Sequence, residues 1–111
     1  MLESLSRLFR LLGDTNRLRI LFAIGKEQKS VTEIMNETSL PQTLVSFHLR
    51  RLRESGVLTA ERKGPFVYYR VSDPGLIDLL VSLGGHSPSE EVQEKPHSPW
   101  PPMRFMKSWI K

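Results

Sequence analysis

Apolar residues recur at helical spacing along the first half of this chain. From Leu2 to Leu12, leucine and phenylalanine fall three or four positions apart, as on one face of a helix. A second helical pattern follows Asp14, a residue type favoured at an N-cap. A third follows Ser30, where Glu33 stands at the offset of a capping box. The pattern therefore predicts three short helices before residue 40.

The next segment, from about Pro41 to Ser55, has two unlike faces. Proline is tolerated in the first turn of a helix, and Gly56 suits the C′ position that ends one. Helical spacing places an apolar set on one side, consisting of Val45, His48, Leu49 and Leu52. The opposite side carries Thr43, Ser46, Phe47 and Arg50. This spacing predicts a fourth helix that buries one face and exposes the other.

A strand pattern replaces the helical one after Gly56. Leu58 to Arg62 and Phe66 to Val71 are rich in β-forming residues and flank the turn Lys63-Gly64-Pro65. Asp73-Pro74 then precedes about ten residues with leucines at helical spacing. The chain is therefore predicted to be mainly α with a small β-hairpin, in the order of a winged helix.

Composition changes at the end of the chain. Five of the eight prolines follow His86, mixed with serine and glutamate, as in an extended linker. The last twelve residues are nevertheless rich in large apolar side chains: Trp100, Met103, Phe105, Met106, Trp109 and Ile110. We therefore predict a domain at 1–84 and a Pro-rich linker with an aromatic tail at 85–111. Three roles for the tail stay open: extending a dimer core, ordering on a partner protein, or touching DNA or a membrane surface.

Charge and composition favour one class of partner and exclude several kinds of functional site. The net charge of +4 favours a polyanionic partner without deciding it. Cysteine is absent, which excludes disulfides, thiolate metal sites and cysteine nucleophiles. No apolar run approaches the roughly 18–20 residues that span a bilayer, and no signal peptide pattern opens the chain. No nucleophile turn, HExxH or P-loop is present. These features predict a cytoplasmic protein that is neither an enzyme nor a membrane protein.

Four motifs resemble a known family. They are L-F-R-L-L-G-D-T-N-R-L-R-I-L at residues 8–21, V-T-E-I at 31–34, P-Q-T-L-V-S-F-H-L-R-R-L-R-E-S-G-V-L at 41–58 and R-K-G-P-F-V-Y-Y-R-V at 62–71. In this order they resemble the ArsR/SmtB-type winged helix-turn-helix regulators over about residues 2–83. The resemblance implies a transcriptional regulator, usually a repressor, that binds operator DNA as a homodimer. Family dimers pair largely through their first and last helices, which here implies an interface of Leu5, Leu8, Phe9, Leu12, Leu76, Leu79, Leu80 and Leu83.

The resemblance also places the DNA-reading positions. It implies that Gln42, Thr43, Ser46 and Phe47 meet base edges in the major groove. Glutamine can pair with adenine through two hydrogen bonds, and hydroxyls can bond to bases or phosphates. Phe47 departs from the family, which usually has a polar or basic residue there, and it would pack on a thymine methyl or flank the groove. Phosphate contacts are expected from Arg50 and Arg51 on the helix and from Arg62 and Lys63 on the wing.

Three further residues have simpler interpretations. His48 lies on the apolar stripe and is predicted to be a core or interface histidine. Arg17 and Arg19, in the second helix, are predicted to have a structural or phosphate-anchoring role.

The metal-sensing residues of many relatives are missing. Where those relatives have cysteines at the start of the third helix, this chain has Ser30 and Thr32, which are poor ligands for thiophilic ions. Asp73, Asp78 and His86 do not reproduce the paired Asp-His and His-Glu spacing of the other family site. No metal and no cofactor is therefore predicted, and both aspartates are interpreted as an N-cap and a solvated helix face.

The resulting prediction is a homodimeric, sequence-specific double-stranded DNA-binding regulator, a repressor released by a signal that is not a thiolate-bound metal. A small-molecule or protein effector stays open. The alternative is a protein-interaction adaptor that keeps the winged-helix scaffold and uses the Phe47 face or the aromatic tail to bind a protein.

Overall fold

The computed structural model describes residues 1–86. These residues form, in order, α1 (Leu2–Leu12), α2 (Thr15–Ile24), β1 (Gln28–Ser30), α3 (Val31–Thr38), α4 (Gln42–Glu54), β2 (Leu58–Lys63), β3 (Phe66–Val71) and α5 (Gly75–Gly84). The predicted helices and hairpin are confirmed. The chain divides after Asp78, and the described part of its second unit is residues 79–86. The predictions for the tail concern residues from Ser87 onward, which lie outside the described residues.

The starts of α2 and α3 are fixed by the caps that the sequence predicts. At α2, the backbone N–H of Arg17 donates to Asp14 Oδ1 over 3.0 Å. At α3, the N–H of Glu33 donates to Ser30 Oγ (3.2 Å), and the N–H of Ser30 donates to Glu33 Oε1 (2.8 Å). This reciprocal pair is a complete capping box, which satisfies two backbone donors that the helix itself cannot.

The ends of α4 differ slightly from the prediction. Pro41 is the N-cap, with φ −69° and ψ 156°, so the helix begins one residue later than expected. At the other end Gly56 adopts φ +88° and donates to the carbonyl of Arg53, while Val57 donates to the carbonyl of Leu52. These two bonds form a Schellman motif, for which glycine is preferred because it has no Cβ to clash at positive φ.

The sheet has a third strand that the sequence pattern did not predict. The strand order is β1-β3-β2, and both pairs are antiparallel. β1 is only three residues long, and its Gln28 and Ser30 stand opposite Arg70 and Tyr68 of β3. Three consecutive polar residues carry no alternation of apolar and polar positions, so nothing in this segment by itself indicates a strand. The strand forms because β3 offers an otherwise unpaired edge of backbone donors and acceptors.

One apolar core holds α4 in place. The side chains with the least exposure come from α2, α3 and α4: Ile20, Leu21, Ile24, Ile34, Val45, Leu49 and Leu52. Leu58 and Val71 extend this core into the hairpin. Because α4 contributes three of these residues, rotation of the helix about its axis would expose apolar surface. The core therefore determines which face of α4 meets solvent.

The residues predicted for a dimer interface differ in exposure. Leu5 and Phe9 of α1 and Leu79 and Leu83 of α5 are exposed, and Leu8 and Leu76 are half-buried. Leu12 and Leu80 are already buried in the single chain, so they have little surface left for a partner. No helix within residues 1–86 combines the length and apolar character needed to cross a bilayer.

Candidate nucleic-acid interface

A helix-turn-helix is formed by α3, a three-residue turn and α4. Ser39 adopts a left-handed conformation (φ 62°), and its N–H donates to the carbonyl of Met35 over 2.8 Å. The hydroxyl of Thr38 donates to the carbonyl of Ile34 and accepts from the N–H of Leu40. These bonds occupy the backbone groups left open where α3 ends. The hydrogen-bonded turn therefore fixes the orientation of α4 relative to α3.

The two faces of α4 are separated as the spacing predicted. Val45, Leu49 and Leu52 are at most 1% exposed, and His48 is 5% exposed. Every residue of this helix predicted to contact DNA, whether at bases or at phosphates, is exposed to solvent: Gln42, Thr43, Ser46, Phe47, Arg50 and Arg51. A helix lying in a major groove can contact base edges only through such an outward face. The structure thus places the six side chains where a duplex could meet them.

Arg50 is engaged only weakly within the protein. Its Nε lies 3.2 Å from Glu54 Oε2, one turn along the helix, and the two side chains are 74% and 60% exposed. Exposed i,i+4 pairs of this kind contribute only about 0.3–0.5 kcal/mol. A phosphate can therefore replace Glu54 as the partner of Arg50 at little cost. Glu54 is not among the residues predicted for this site, although its i,i+4 spacing from Arg50 is visible in the sequence.

Phe47 is fixed in place although it is half exposed. Its ring meets that of His48 edge-to-face at a centroid separation of 5.3 Å. The guanidinium carbon of Arg51 lies over the same ring, 5.7 Å from its centroid. Such a cation–π contact at an exposed site contributes about 0.5–1 kcal/mol. The ring therefore presents an apolar surface, suited to a thymine methyl, with a positive charge beside it.

The wing is a tight hairpin whose loop is Gly64-Pro65. Gly64 adopts φ +64°, and the proline ring holds the next φ negative, as in the type II′ turns that suit two-residue hairpins. Arg62 pairs with Val67, and Lys63 pairs with Phe66 at the end of the ladder. Successive strand residues point to opposite faces, so the two exposed cations project on opposite sides of the wing.

Lys63 shares its face of the wing with two aromatic rings. Its Nζ lies 5.9 Å from the centroid of the Tyr68 ring, and the Phe66 ring lies 6.4 Å from the same ring. Phe66 is exposed, whereas Tyr68 and Tyr69 are both half-buried. The wing tip therefore carries an apolar side chain in addition to the predicted cations.

A polar link that the sequence reasoning did not identify joins α1, α2 and α4. Arg17 donates from Nε to the carbonyl of Leu11 near the end of α1. Its Nη1 lies 3.4 Å from Nδ1 of His48, on the buried face of α4. The side chain expected to be structural or phosphate-anchoring thus makes structural contacts. His48 is a core histidine, as predicted.

The surroundings of His48 disfavour its charged form. Burial lowers the pKa of its imidazole below the usual 6.5, and the charges of Arg17 and Arg51 lower it further, while Asp14 opposes them. The pKa of the Asp14 carboxyl is also lowered, mainly by the hydrogen bond from the Arg17 backbone. His48 is therefore neutral at neutral pH, when its Nδ1 can accept from Arg17.

Acidification is expected to destabilise the fold through His48. Below about pH 6.5 the unfolded chain protonates this histidine while the folded chain resists protonation, so the unfolded state binds more protons. The free energy of unfolding, measured in urea at fixed protein concentration, should fall between about pH 7.5 and 5.5. His48→Asn should reduce this fall, because its amide oxygen can accept from Arg17 but does not titrate. Equal pH dependence in both proteins would contradict the assignment.

The residues considered for metal sensing have other partners. Ser30 forms the cap of α3, and Asp73 Oδ1 accepts from the N–H of Gly75 over 3.0 Å. Asp78 pairs with Lys26 at 2.8 Å. Within residues 1–86, no three side chains of histidine, aspartate or glutamate come together as a metal site would require. The observed roles of Asp73 and Asp78 agree with a cap and a solvated face.

Comparison with known proteins gives a consistent set of relatives. The sequence profile of bacterial regulatory proteins of the arsR family matches residues 14–60. The chain is 32% identical over 91 residues to the HTH-type transcriptional repressor SmtB of Mycobacterium tuberculosis, covering 82% of this chain and 67% of SmtB. It is 40% identical over 76 residues to the arsenic resistance transcriptional regulator ArsR1 of Pseudomonas putida, covering 66% of this chain and 59% of that protein.

A solved structure shows the same fold. The homodimeric winged helix-turn-helix DNA-binding domain of a Mycobacterium bovis protein superposes with a TM-score of 0.69 at 25% sequence identity. The match covers 80% of this chain and 85% of that domain. The helix-turn-helix, the hairpin wing and the sequence relatives agree. This chain therefore belongs to the arsR family of bacterial regulatory proteins and is a winged helix-turn-helix, DNA-binding transcriptional regulator.

Proposed function

We propose that this protein is a homodimeric repressor that reads its operator with the outer face of α4. The observation that carries the proposal is the separation of the two faces of that helix. Leu52 and its apolar neighbours are fully buried, while Gln42, Thr43 and Ser46 face solvent at the N-terminal end. Helix-turn-helix proteins contact bases mainly from the N-terminal residues of this helix. As a DNA-binding regulator, the protein acts where the chromosome lies, in the cytoplasm.

Base recognition is assigned to the first two turns of α4. Gln42 is the first residue of the helix, and its amide can both donate and accept, which matches the N6 and N7 edge of adenine. The hydroxyls of Thr43 and Ser46 are short enough to let the helix approach the groove floor. Phe47 offers only apolar contact, so we assign it a thymine methyl. This set favours an A·T-containing half-site.

Phosphate contacts are assigned to four exposed cations: Arg50, Arg51, Arg62 and Lys63. Two of them project from α4 and two from the wing, so they can grip the backbone on both sides of the groove. A dimer would then contact on the order of 6–10 phosphates, and the affinity would fall steeply with salt. These contacts position the protein but carry no base preference.

Dimerisation is assigned to the apolar surfaces that α1 and α5 leave exposed. On α1, Leu5 and Phe9 lie at helical spacing, and on α5 Leu79 is 62% exposed. Exposed apolar side chains of this size, grouped on one helix, favour burial against a partner. Two copies related by a two-fold axis would present two α4 helices to half-sites about one turn of DNA apart.

Substitutions on the outer face of α4 should separate specificity from affinity. Replacing Gln42 and Ser46 together by alanine should reduce the preference for operator over unrelated DNA by at least about 30-fold, because the two base contacts together contribute about 2–6 kcal/mol. Arg50→Ala should instead weaken binding to all sequences alike and flatten the salt dependence. Fluorescence anisotropy with operator and scrambled duplexes at two salt concentrations measures both effects.

The matched control uses the same residue types on another part of the surface. Gln28 and Ser72 are exposed and lie outside α4, and their replacement by alanine should leave specificity unchanged. If the Gln42/Ser46 variant discriminates like the wild type, the recognition face is wrongly assigned. If a folded wild-type dimer shows no salt-sensitive DNA binding at all, the protein-interaction adaptor replaces the repressor.

A further inference from the structure

A groove of about 680 Å³ lies between α1 and the C-terminal half of α4, and arginines dominate it. Four of the nine residues that line it are arginines, namely Arg7, Arg10, Arg17 and Arg51. None of the nine is acidic. Three of these arginines belong to α1 and α2 and only Arg51 to α4, whereas base reading is assigned to the first two turns of α4. It therefore concentrates positive charge at a place that the recognition of bases does not explain.

The protein neutralises this charge only in part, through the electrostatic attraction between Asp14 and Arg17. Three ion pairs occur within residues 1–86, and none of them uses any of the four arginines. Arg10 donates to the hydroxyl of Ser6, and Arg51 lies over the Phe47 ring, so both keep most of their donors. Like charges held together destabilise a fold unless an anion joins them. The groove is thus short of negative charge.

We propose that this groove binds a small molecule carrying a pyrophosphate or similar multiply charged phosphate group. Guanidinium groups bind phosphate oxygens through paired hydrogen bonds, with better geometry than lysine offers. The walls also contain the apolar side chains of Leu8, Leu11 and Val57, which suit an organic body attached to the phosphates. A volume of this size matches the range of small-molecule sites, about 300–1,000 Å³.

The shape of the groove favours a small anion over a DNA backbone. Arg17 is half-buried, held by the Leu11 carbonyl and His48. A DNA duplex is far wider than this groove, so its phosphates would meet the exposed Arg7, Arg10 and Arg51 but not the half-buried Arg17. Arg7 also lies about 160° around α1 from Phe9. A partner subunit on the Phe9 face would therefore leave the Arg7 side of the groove open, although Leu8, in one wall, belongs to the predicted interface.

Occupancy of the groove would act on the recognition helix. Arg51 belongs to α4, and Arg17 contacts His48 on the same helix, so an anion that draws these guanidinium groups together changes the support of α4. This regulatory consequence rests on the proposed repressor function, whereas binding of the anion does not. The ligand would therefore be an effector that alters operator affinity.

Isothermal titration of the full-length protein with sodium pyrophosphate and with ADP, at constant ionic strength, tests the site. We expect saturable binding of one anion per protomer, and tighter binding of ADP if the apolar wall receives an organic group. Replacing Arg7 and Arg10 together by glutamine should weaken binding at least about tenfold, because two charge-assisted hydrogen-bonding groups are lost. Both side chains are exposed, and circular dichroism checks that the fold is kept.

The control variant replaces Arg53 and Arg70, two exposed arginines outside the groove, by glutamine. Equal loss of anion binding in both variants would indicate diffuse attraction and overturn the proposal. So would the absence of saturable binding to either probe. If the Arg7/Arg10 variant loses operator affinity and no anion binds the wild type, the groove serves the DNA backbone instead. Anion binding without any DNA binding would contradict the repressor function but support the groove.

Discussion

Replacing Phe9 by glutamate is expected to turn the dimer into a monomer and to weaken operator binding by at least about 100-fold. Phe9 is 53% exposed on the apolar face of α1, where the proposed partner would cover it. Two-fold symmetry places two carboxylates in one apolar interface, and each unpaired buried charge costs several kcal/mol. A monomer can contact only one half-site at a time, so it loses the gain in affinity that comes from binding both half-sites together. Analytical ultracentrifugation and anisotropy measure the two effects.

Phe22 provides the matched control for this substitution. It is also an exposed phenylalanine in a helix of the same domain, but it belongs to α2. Phe22→Glu introduces the same change in size and charge and should leave both the dimer and the operator affinity intact. A dimeric Phe9→Glu variant would contradict the assignment of the α1 face. Dissociation of the Phe22→Glu variant would move the interface to α2.

Replacing Leu52 by alanine is expected to lower the free energy of unfolding by about 2–5 kcal/mol. Its side chain lies on the inner face of α4 and is fully buried, so truncation leaves a cavity that neighbouring side chains fill only in part. Small domains have only about 5–15 kcal/mol of stability in total, so this loss is severe. Urea denaturation followed by circular dichroism measures it, at fixed protein concentration because the proposed dimer would add to the stability.

Leu52→Met separates the effect of the cavity from that of a changed residue. Methionine has nearly the same volume and apolar character, so the cost should stay below about 1.5 kcal/mol. The alanine variant should also lose operator binding as it unfolds, whereas the methionine variant should bind like the wild type. A loss below 1 kcal/mol for Leu52→Ala would show that α4 is packed less tightly than its burial indicates.

Local signals in the sequence were enough to place the helices and their faces. Asp14 and Ser30 indicate where α2 and α3 begin. Each cap is local, because the side chain accepts from a backbone N–H only three residues later. The buried and exposed faces of α4 followed from helical spacing alone. Such features depend on residues within one or two turns of each other, so a single sequence is sufficient to predict them.

Features that join distant parts of the chain could not be predicted in the same way. β1 has no strand pattern of its own and forms only by pairing with β3, about forty residues later. The contact between Arg17 and His48 spans 31 positions in the sequence. Arg7 and Arg51 line one groove although they lie on different helices. Each of these depends on how the helices pack, which spacing within a helix does not specify.

The predicted dimer interface shows a second limit of prediction from helical spacing, which concerns the apolar face of α1. Leu5, Leu8, Phe9 and Leu12 share one apolar stripe in the sequence, but only some of them remain exposed in the fold. Leu12 packs within the single chain, whereas Phe9 does not. Helical periodicity identifies an apolar face but does not divide it between the domain's own core and a partner. That division required the structure.

The most direct measurement is an NMR titration of isotope-labelled protein with a duplex selected for binding from the genome of its source. We predict that the largest shifts of backbone amide signals fall on Gln42, Thr43 and Ser46, with smaller ones on the wing at Arg62 and Lys63. Signals of the buried residues should move little. Saturating binding that leaves the first two turns of α4 unperturbed would contradict the claim that this face reads DNA.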